Sequence, residues 1–469
     1  MVDERPLRVA IVGSGPSGIY AAEALARQSV VPVEVDVLDR LPTPFGLVRY
    51  GVAPDHLSIR GIRETLWRLL RDPAVRFLGN VELGTDLTVD ELRQHVDAVI
   101  YTFGAARDRR LGIPGEDLPG SLAATDFVAW YCGHPDAARG LVEEALQEAR
   151  SAVVVGVGNV ALDVARVLAR SGALDHTDMP EHVLGTLGDC PVRDIHVLGR
   201  RAPAHAAFTT KELRELGKID GVDVWVDPQD LAPDPVSEAV LAGNRAAARN
   251  VDVLREWSNR PQPAAGGGQK TGVQLRFFTR PVEILGTDRV EGVRVERTHF
   301  DPDGRLVGTG EQSVISAQLV VRSVGYRGVA LPGLPFDTGM NVVPHDRGRV
   351  VRDGVATPGE YVAGWIKRGP TGVIGTNKSD ANESVATLLS DAELGALPAP
   401  VHPDRGALTD LLAARGVRVF TLDDWEAIDA AEVALGQTRG RDRTTLGSRS
   451  ELLAAVTAEG RRLNAPATP

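Results

Sequence analysis

The chain has 469 residues, with 52 Lys and Arg against 63 Asp and Glu, a formal charge of −11 with histidine neutral; 43 % of it is hydrophobic and 25 % charged. That balance excludes disordered, collagen-like and coiled-coil classes, and the acidic excess speaks against general binding to nucleic acid or anionic membranes. Two cysteines, Cys132 and Cys190, form no CxxC pair, which rules out a disulfide framework and a Cys-rich metal site; two inert thiols in a reducing cytoplasm are expected.

The start, Met1 to Pro6, is acidic and has no signal-peptide pattern. No apolar run reaches the roughly 18 residues of a membrane span. In chain order, Leu7–Val12 is short, apolar and β-branched, a strand. Gly13-Ser14-Gly15-Pro16-Ser17-Gly18 follows, then an Ala/Leu-rich helix over 19–27 and an alternating strand over 33–39. A Pro-rich loop at 41–46 interrupts regular structure, and 97–104 reads as a further strand.

A second unit of the same kind opens with a strand at 152–155, a loop carrying Gly156, Gly158 and Ala161, a helix over 162–169 and a strand over 194–199. Residues 222–326 are richer in strand signals, with a hairpin at Asp303-Gly304. A Gly-punctuated segment runs from 359 to 376, and the chain after about 390 is helical and polar. Two copies of one nucleotide-binding unit, with a late segment able to rejoin the first, imply an α/β protein. We expect two doubly wound, Rossmann-like domains, the second inserted in the first: 1–107 and 330–469 for one, 108–329 for the other.

Each part of the first loop has a physical task. Gly13 makes the tight turn, Gly15 lets a pyrophosphate approach the backbone, and Gly18 lets helix pack on strand. The helix start offers free N–H groups to phosphate. Asp39, at the end of the next strand, can accept ribose hydroxyls and would repel a 2′-phosphate, so FAD or NAD fits there. The second loop leads instead to Arg200 and Arg201, two cations suited to the 2′-phosphate of NADP. The distance to that pair is longer than the usual spacing of about 20 residues, which an insertion near 171–192 explains. Two different dinucleotides in one chain point to a flavin paired with a nicotinamide. Without a redox-active Cys pair, electrons should leave the flavin directly for an acceptor outside the chain.

These residues are similar to those of the adrenodoxin reductase-like ferredoxin–NADP reductases. The resemblance lies in LPTPFGLVRYGVAPDH at 41–56, GNVALDVAR at 158–166, GRR at 199–201, FTTKELREL at 208–216 and GWIKRGPTGVIGT at 364–376. It implies FAD in the first domain, on Ser17, Asp39, Leu47, Val81, Trp365, Gly372, Val373 and Ile374. It implies NADP(H) in the inserted domain, on Asn159, Val160, Arg200, Arg201 and Glu212. His56 and Glu215 match positions near the reacting rings and are the catalytic candidates; no metal is implied. Asp39 stands where relatives often have Glu, and Phe45 where Trp is common. Lys367 and Arg368 are candidates for holding an anionic flavin or phosphate. The activity implied is transfer of hydride from NADPH and release of single electrons to a separate ferredoxin, serving a cytochrome P450 or similar oxygenase. A glutamate-synthase-type flavin subunit and a redox sensor with little turnover are the alternatives. Acidic ferredoxins need a basic patch; Arg60, Arg63, Arg68 and Arg71 form one cluster, and Arg245, Arg249, Arg255 and Arg260 another, with docking expected at Arg245 and Arg249.

Overall fold

The computed structural model describes residues 5–56, 60–263 and 270–463. Met1 to Glu4 and the chain beyond residue 463 therefore lie outside the described residues. Contacts divide the chain into two compact units, Met1–Arg107 with Tyr326–Pro469, and Asp108–Gly325. The second crossing falls at 325/326 rather than at 329/330. The strand Leu319–Arg322 belongs to the sheet of the middle unit, whereas Tyr326 stacks on Trp365 of the other, with ring centroids 5.4 Å apart.

The outer unit is built on a seven-stranded sheet in the order 345–346, 349–352, 355–362, 98–101, 7–12, 33–39, 75–79. The last five run parallel, and the first two form an antiparallel edge. Because side chains alternate across a strand, Val9, Ile11, Val35 and Val37 feed one hydrophobic core, while Ala10, Val12 and Leu38 feed the other. Burial on both faces is why 9–12 and 98–101 read as continuous apolar runs. The strand predicted over 97–104 is shorter, Ala98–Tyr101. Thr102 turns it aside, its hydroxyl donating to the carbonyls of Val12 and Gly13 at 3.0 and 2.9 Å. The polar C-terminal stretch forms helices Arg405–Ala414, Leu422–Gln437 and Arg449–Leu463. Leu408 and Leu412 enter one core, Trp425, Ile428, Leu452 and Val456 the other.

The middle unit has a six-stranded parallel sheet in the order 121–123, 319–322, 151–155, 194–198, 271–276, 222–226. A three-stranded antiparallel sheet of 279–285, 292–300 and 306–316 packs Ile284, Val293, Val295 and Ile315 with Val153, Val155 and Val320. Its hairpin turns at Gly304, φ +76°, where Asp301 accepts the N–H groups of Asp303 and Arg305. The stretch near 171–192 contains the helix Glu181–Gly188. Among the described residues no helix is long and apolar enough to cross a membrane.

Candidate functional site

In the outer unit the three glycines of the first loop do three different things. Gly13 has φ +110°, and a Cβ there would lie 2.8 Å from the carbonyl oxygen of Thr102. A Cβ on Gly18 would lie 1.9 Å from the carbonyl oxygen of Gly13, so only hydrogen lets the helix close on the loop. A Cβ on Gly15 would meet nothing within 4 Å. The helix Pro16–Arg27 starts there with no side-chain cap and no acidic residue in its first turn. Helices elsewhere in the unit carry full capping boxes at Thr88 and Thr421. Bare N–H groups facing open space are the donor set that suits a pyrophosphate.

Asp39 is turned into the loop. One carboxylate oxygen accepts the backbone N–H and hydroxyl of Ser14 at 2.8 and 2.5 Å, the other the N–H of Leu41 at 2.9 Å. Burial raises its pKa, opposed by those bonds from Ser14 and Leu41. Val81 is buried, its N–H on the Asp39 carbonyl at 2.8 Å. Ser17 donates to Asn377 Oδ1 at 2.9 Å, and Gly364, φ +80°, leaves no room for a Cβ beside the Ser17 hydroxyl. Leu47 and Val373 are exposed, at 42 % and 69 %, two of few large apolar side chains left open. Gly372 is exposed with φ +85°, and Ile374 packs against the core. His56 is buried, its N–H on the carbonyl of Ala53.

Lys367 and Arg368 are not free cations. Lys367 is buried between Asp380 at 2.9 Å and Glu383 at 2.6 Å, and Arg368 binds Asp380 at 2.7 Å and Asn377 Oδ1 at 2.7 Å. Buried charges take partners, and these pairs brace the 364–376 segment. Asp380 also accepts the N–H of Gly364 at 2.5 Å. Thr102, Asn377 and Asp380 were not among the residues singled out from sequence; the only cue to the last two is their place just past the 364–376 motif.

The middle unit repeats the arrangement. Gly156 has φ +132°, and a Cβ there would lie 2.0 Å from the carbonyl oxygen of Ser323; a Cβ on Gly158 would meet nothing within 4 Å. Ala161 is buried, so its methyl fills the contact that a third glycine would leave open. The helix Asn159–Ala169 again starts with no side-chain cap and no acid in its first turn. Asn159 Oδ1 accepts the N–H of Thr209 at 2.8 Å, which ties the loop to the helix Thr210–Leu216, and Val160 is half-buried.

Arg200 and Arg201 are held by their backbones alone. Thr298 donates to the Arg200 carbonyl at 2.7 Å and the Phe278 N–H to that of Arg201 at 3.2 Å. Both side chains are exposed and have no ion-pair partner among the described residues. Glu212 is the cofactor ligand expected on the 210–216 helix. It is buried against Arg166 at 3.3 Å, and Arg166 also meets Asp163 at 2.8 Å. Glu215, one turn on, is half-buried with Lys211 at 3.9 Å. Cys132 and Cys190 are buried and are not joined in a disulfide.

The family model for pyridine nucleotide-disulphide oxidoreductases matches residues 7–226. The NADPH-ferredoxin reductase FprA of Mycobacterium tuberculosis is 46 % identical over 96 % of this chain and 99 % of its own length. The mitochondrial NADPH:adrenodoxin oxidoreductase of Arabidopsis thaliana is 39 % identical, covering 96 % of each. The chain belongs to the adrenodoxin reductase-like ferredoxin–NADP reductases. The solved M. tuberculosis FprA in complex with NADPH has a TM-score of 0.89 at 45 % identity, over 97 % of this reductase and all of that chain. Like other members the reductase is an oxidoreductase.

Proposed function

We propose that this reductase binds FAD in the outer unit and NADPH in the middle unit, takes hydride from NADPH, and passes single electrons to a separate ferredoxin. When both are bound, the nicotinamide supplies the hydride and the flavin converts a two-electron donor into a one-electron source. The protein's part is binding and orientation. The 16–27 helix start and the open face of Gly15 receive the FAD pyrophosphate. Asp39 keeps lone pairs for a ribose hydroxyl while pinning Ser14. Leu47, Val81, Trp365 and the 372–374 segment border the rest of the flavin dinucleotide, with Ser17 held ready by Asn377. In the middle unit the 159–169 helix start, Gly158, Asn159 and Val160 receive the NADP pyrophosphate. Arg200 and Arg201 form forked, charge-assisted bonds to the 2′-phosphate. Glu212 acts through Arg166, holding the 210–216 helix in place. His56 and Glu215 orient groups near the reacting rings; hydride transfer needs no general base. The partner docks on Arg245 and Arg249 and leads to a cytochrome P450 or similar oxygenase.

One observation carries this reading: two uncapped dinucleotide loops, one followed by a carboxylate and the other by two unpaired arginines. A visible spectrum of the purified protein, then titration with NADPH and with NADH, tests it. Flavin bands bleached by NADPH well below the NADH concentration required, followed by sustained reduction of ferredoxin, are expected. A colourless protein that cannot take up FAD, or equal use of both nucleotides, overturns it; bleaching without turnover marks a sensor.

A further inference from the structure

The turn at 45–50 has an improbable backbone. Phe45 carries a bulky side chain at φ +85°, and Gly46 follows at φ +50°. Such conformations persist only where the surroundings over-determine them, and they gather at ligand clamps and active sites. This turn lies directly on the first glycine loop. The Phe45 N–H donates to the Ser14 carbonyl at 3.0 Å, and a Cβ on Gly46 would come within 3.1 Å of Gly15 Cα.

The far end of the chain holds it there. From the Leu422–Gln437 helix, Trp425 meets the Phe45 ring edge-on, centroids 5.5 Å apart at 85°. The Arg49 guanidinium lies 5.0 Å from the Trp425 ring. Glu432 accepts both terminal nitrogens of Arg49, at 2.5 and 3.1 Å, across 383 positions of chain. Glu432 is 0 % and Arg49 3 % exposed. Glu432 also accepts the Leu446 N–H at 2.9 Å and meets Arg443 at 3.4 Å. A helix that served only to seal a core would do so with apolar groups, because a buried ion pair adds little stability over them. What a bidentate pair adds is fixed geometry.

We propose that the 422–437 helix is a clamp that sets the 45–50 turn against the Gly13–Gly18 loop, with Trp425 and Glu432 as positioning residues for the flavin dinucleotide. This rests on the reading of that loop as the FAD site. Both act through Phe45 and Arg49.

The test compares the holoprotein with Glu432→Gln, Trp425→Leu and a control, Asp391→Asn, which breaks another buried pair of the same unit, Arg349–Asp391 at 2.6 Å. FAD release is followed by flavin fluorescence, the bound ring by visible circular dichroism, and the fold by melting of the apoprotein. Glu432→Gln and Trp425→Leu should raise the FAD dissociation constant about tenfold or more and alter the visible band. Asp391→Asn should lower the melting temperature at least as much, yet leave FAD affinity within about twofold and the band unchanged. If Glu432→Gln does not fold, Trp425→Leu decides. Flavin loss that merely tracks melting across all three variants, or wild-type FAD affinity in the clamp variants, overturns the clamp alone. A wild-type protein that takes up no FAD overturns the site reading and the clamp together.

Discussion

Arg200 and Arg201 show how a binding residue differs from a structural one. Their backbones are tied to Thr298 and Phe278, while their charges find no ion-pair partner among the described residues. Arg200→Ala should therefore remove about 1.5–3 kcal/mol of charge-assisted bonding, read as a rise of roughly 10- to 100-fold in KM for NADPH. KM for NADH should barely change; a parallel rise for both nucleotides would refute the phosphate role. Gly15 and Gly18 make a second contrast. Gly18→Ala forces a Cβ into the Gly13 carbonyl and should cost about 1–3 kcal/mol. Gly15 has φ −72° and open space at its Cβ, so Gly15→Ala should leave apoprotein melting unchanged, or raise stability by about 0.4–1 kcal/mol. The same change should weaken FAD binding, because the methyl occupies the approach to the backbone. Melting curves and FAD titration of both variants check this, and wild-type affinity in Gly15→Ala would count against the site.

At the scale of elements, the helix Arg245–Ser258 buries Ala247, Val251, Leu254 and Trp257 and turns Arg245 and Arg249 outward, where neither finds an ion-pair partner among the described residues. The other members of that cluster are engaged, Arg255 with Asp252 and Arg260 over Trp257. In the first cluster Arg60 donates to the Arg49 carbonyl and Arg71 pairs with Glu426. Reversing the charge at Arg245 and Arg249 should lower ferredoxin-dependent turnover and spare ferricyanide reduction, since a small anion needs no docked protein. Equal loss in both assays would remove the docking role. Strands and helix starts were largely legible from sequence, because apolar runs and the Gly-x-Gly spacing are patterns of consecutive residues. The end of the 98–101 strand was not, since it depends on Thr102 finding carbonyls of a different strand.

For the whole molecule, each unit carries its own buried carboxylate held by an arginine. In the middle unit burial alone would raise the Glu116 carboxyl, but the N–H groups of Leu111 and Gly112 and the Arg322 guanidinium lower it. In the outer unit burial is likewise outweighed at Asp391, by Arg349 and the Tyr361 hydroxyl. A carboxyl with a depressed folded pKa contributes stability above its unfolded value, and loses it as pH falls through the folded one. Both units should therefore lose stability as pH falls below about 4, seen by calorimetry as earlier melting. Asp391→Asn should flatten that dependence for the outer unit only. Melting that holds steady from neutral pH to about 3 would show that neither pair contributes.

By itself the sequence determined two glycine turns, the strands that precede them, and the difference between a carboxylate after one and two arginines after the other. Each is a matter of local sterics or of residue type at a strand end, and both are written in consecutive residues. Only the tertiary structure decided which charges remain free. Lys367 pairs with Asp380 and Glu383, Glu212 with Arg166, and Arg49 with Glu432. Those partners are brought within 3.3 Å across as many as 383 positions, and chain order carries no record of which buried charge compensates which. Burial forces every such charge to find a partner, and the fold alone selects it.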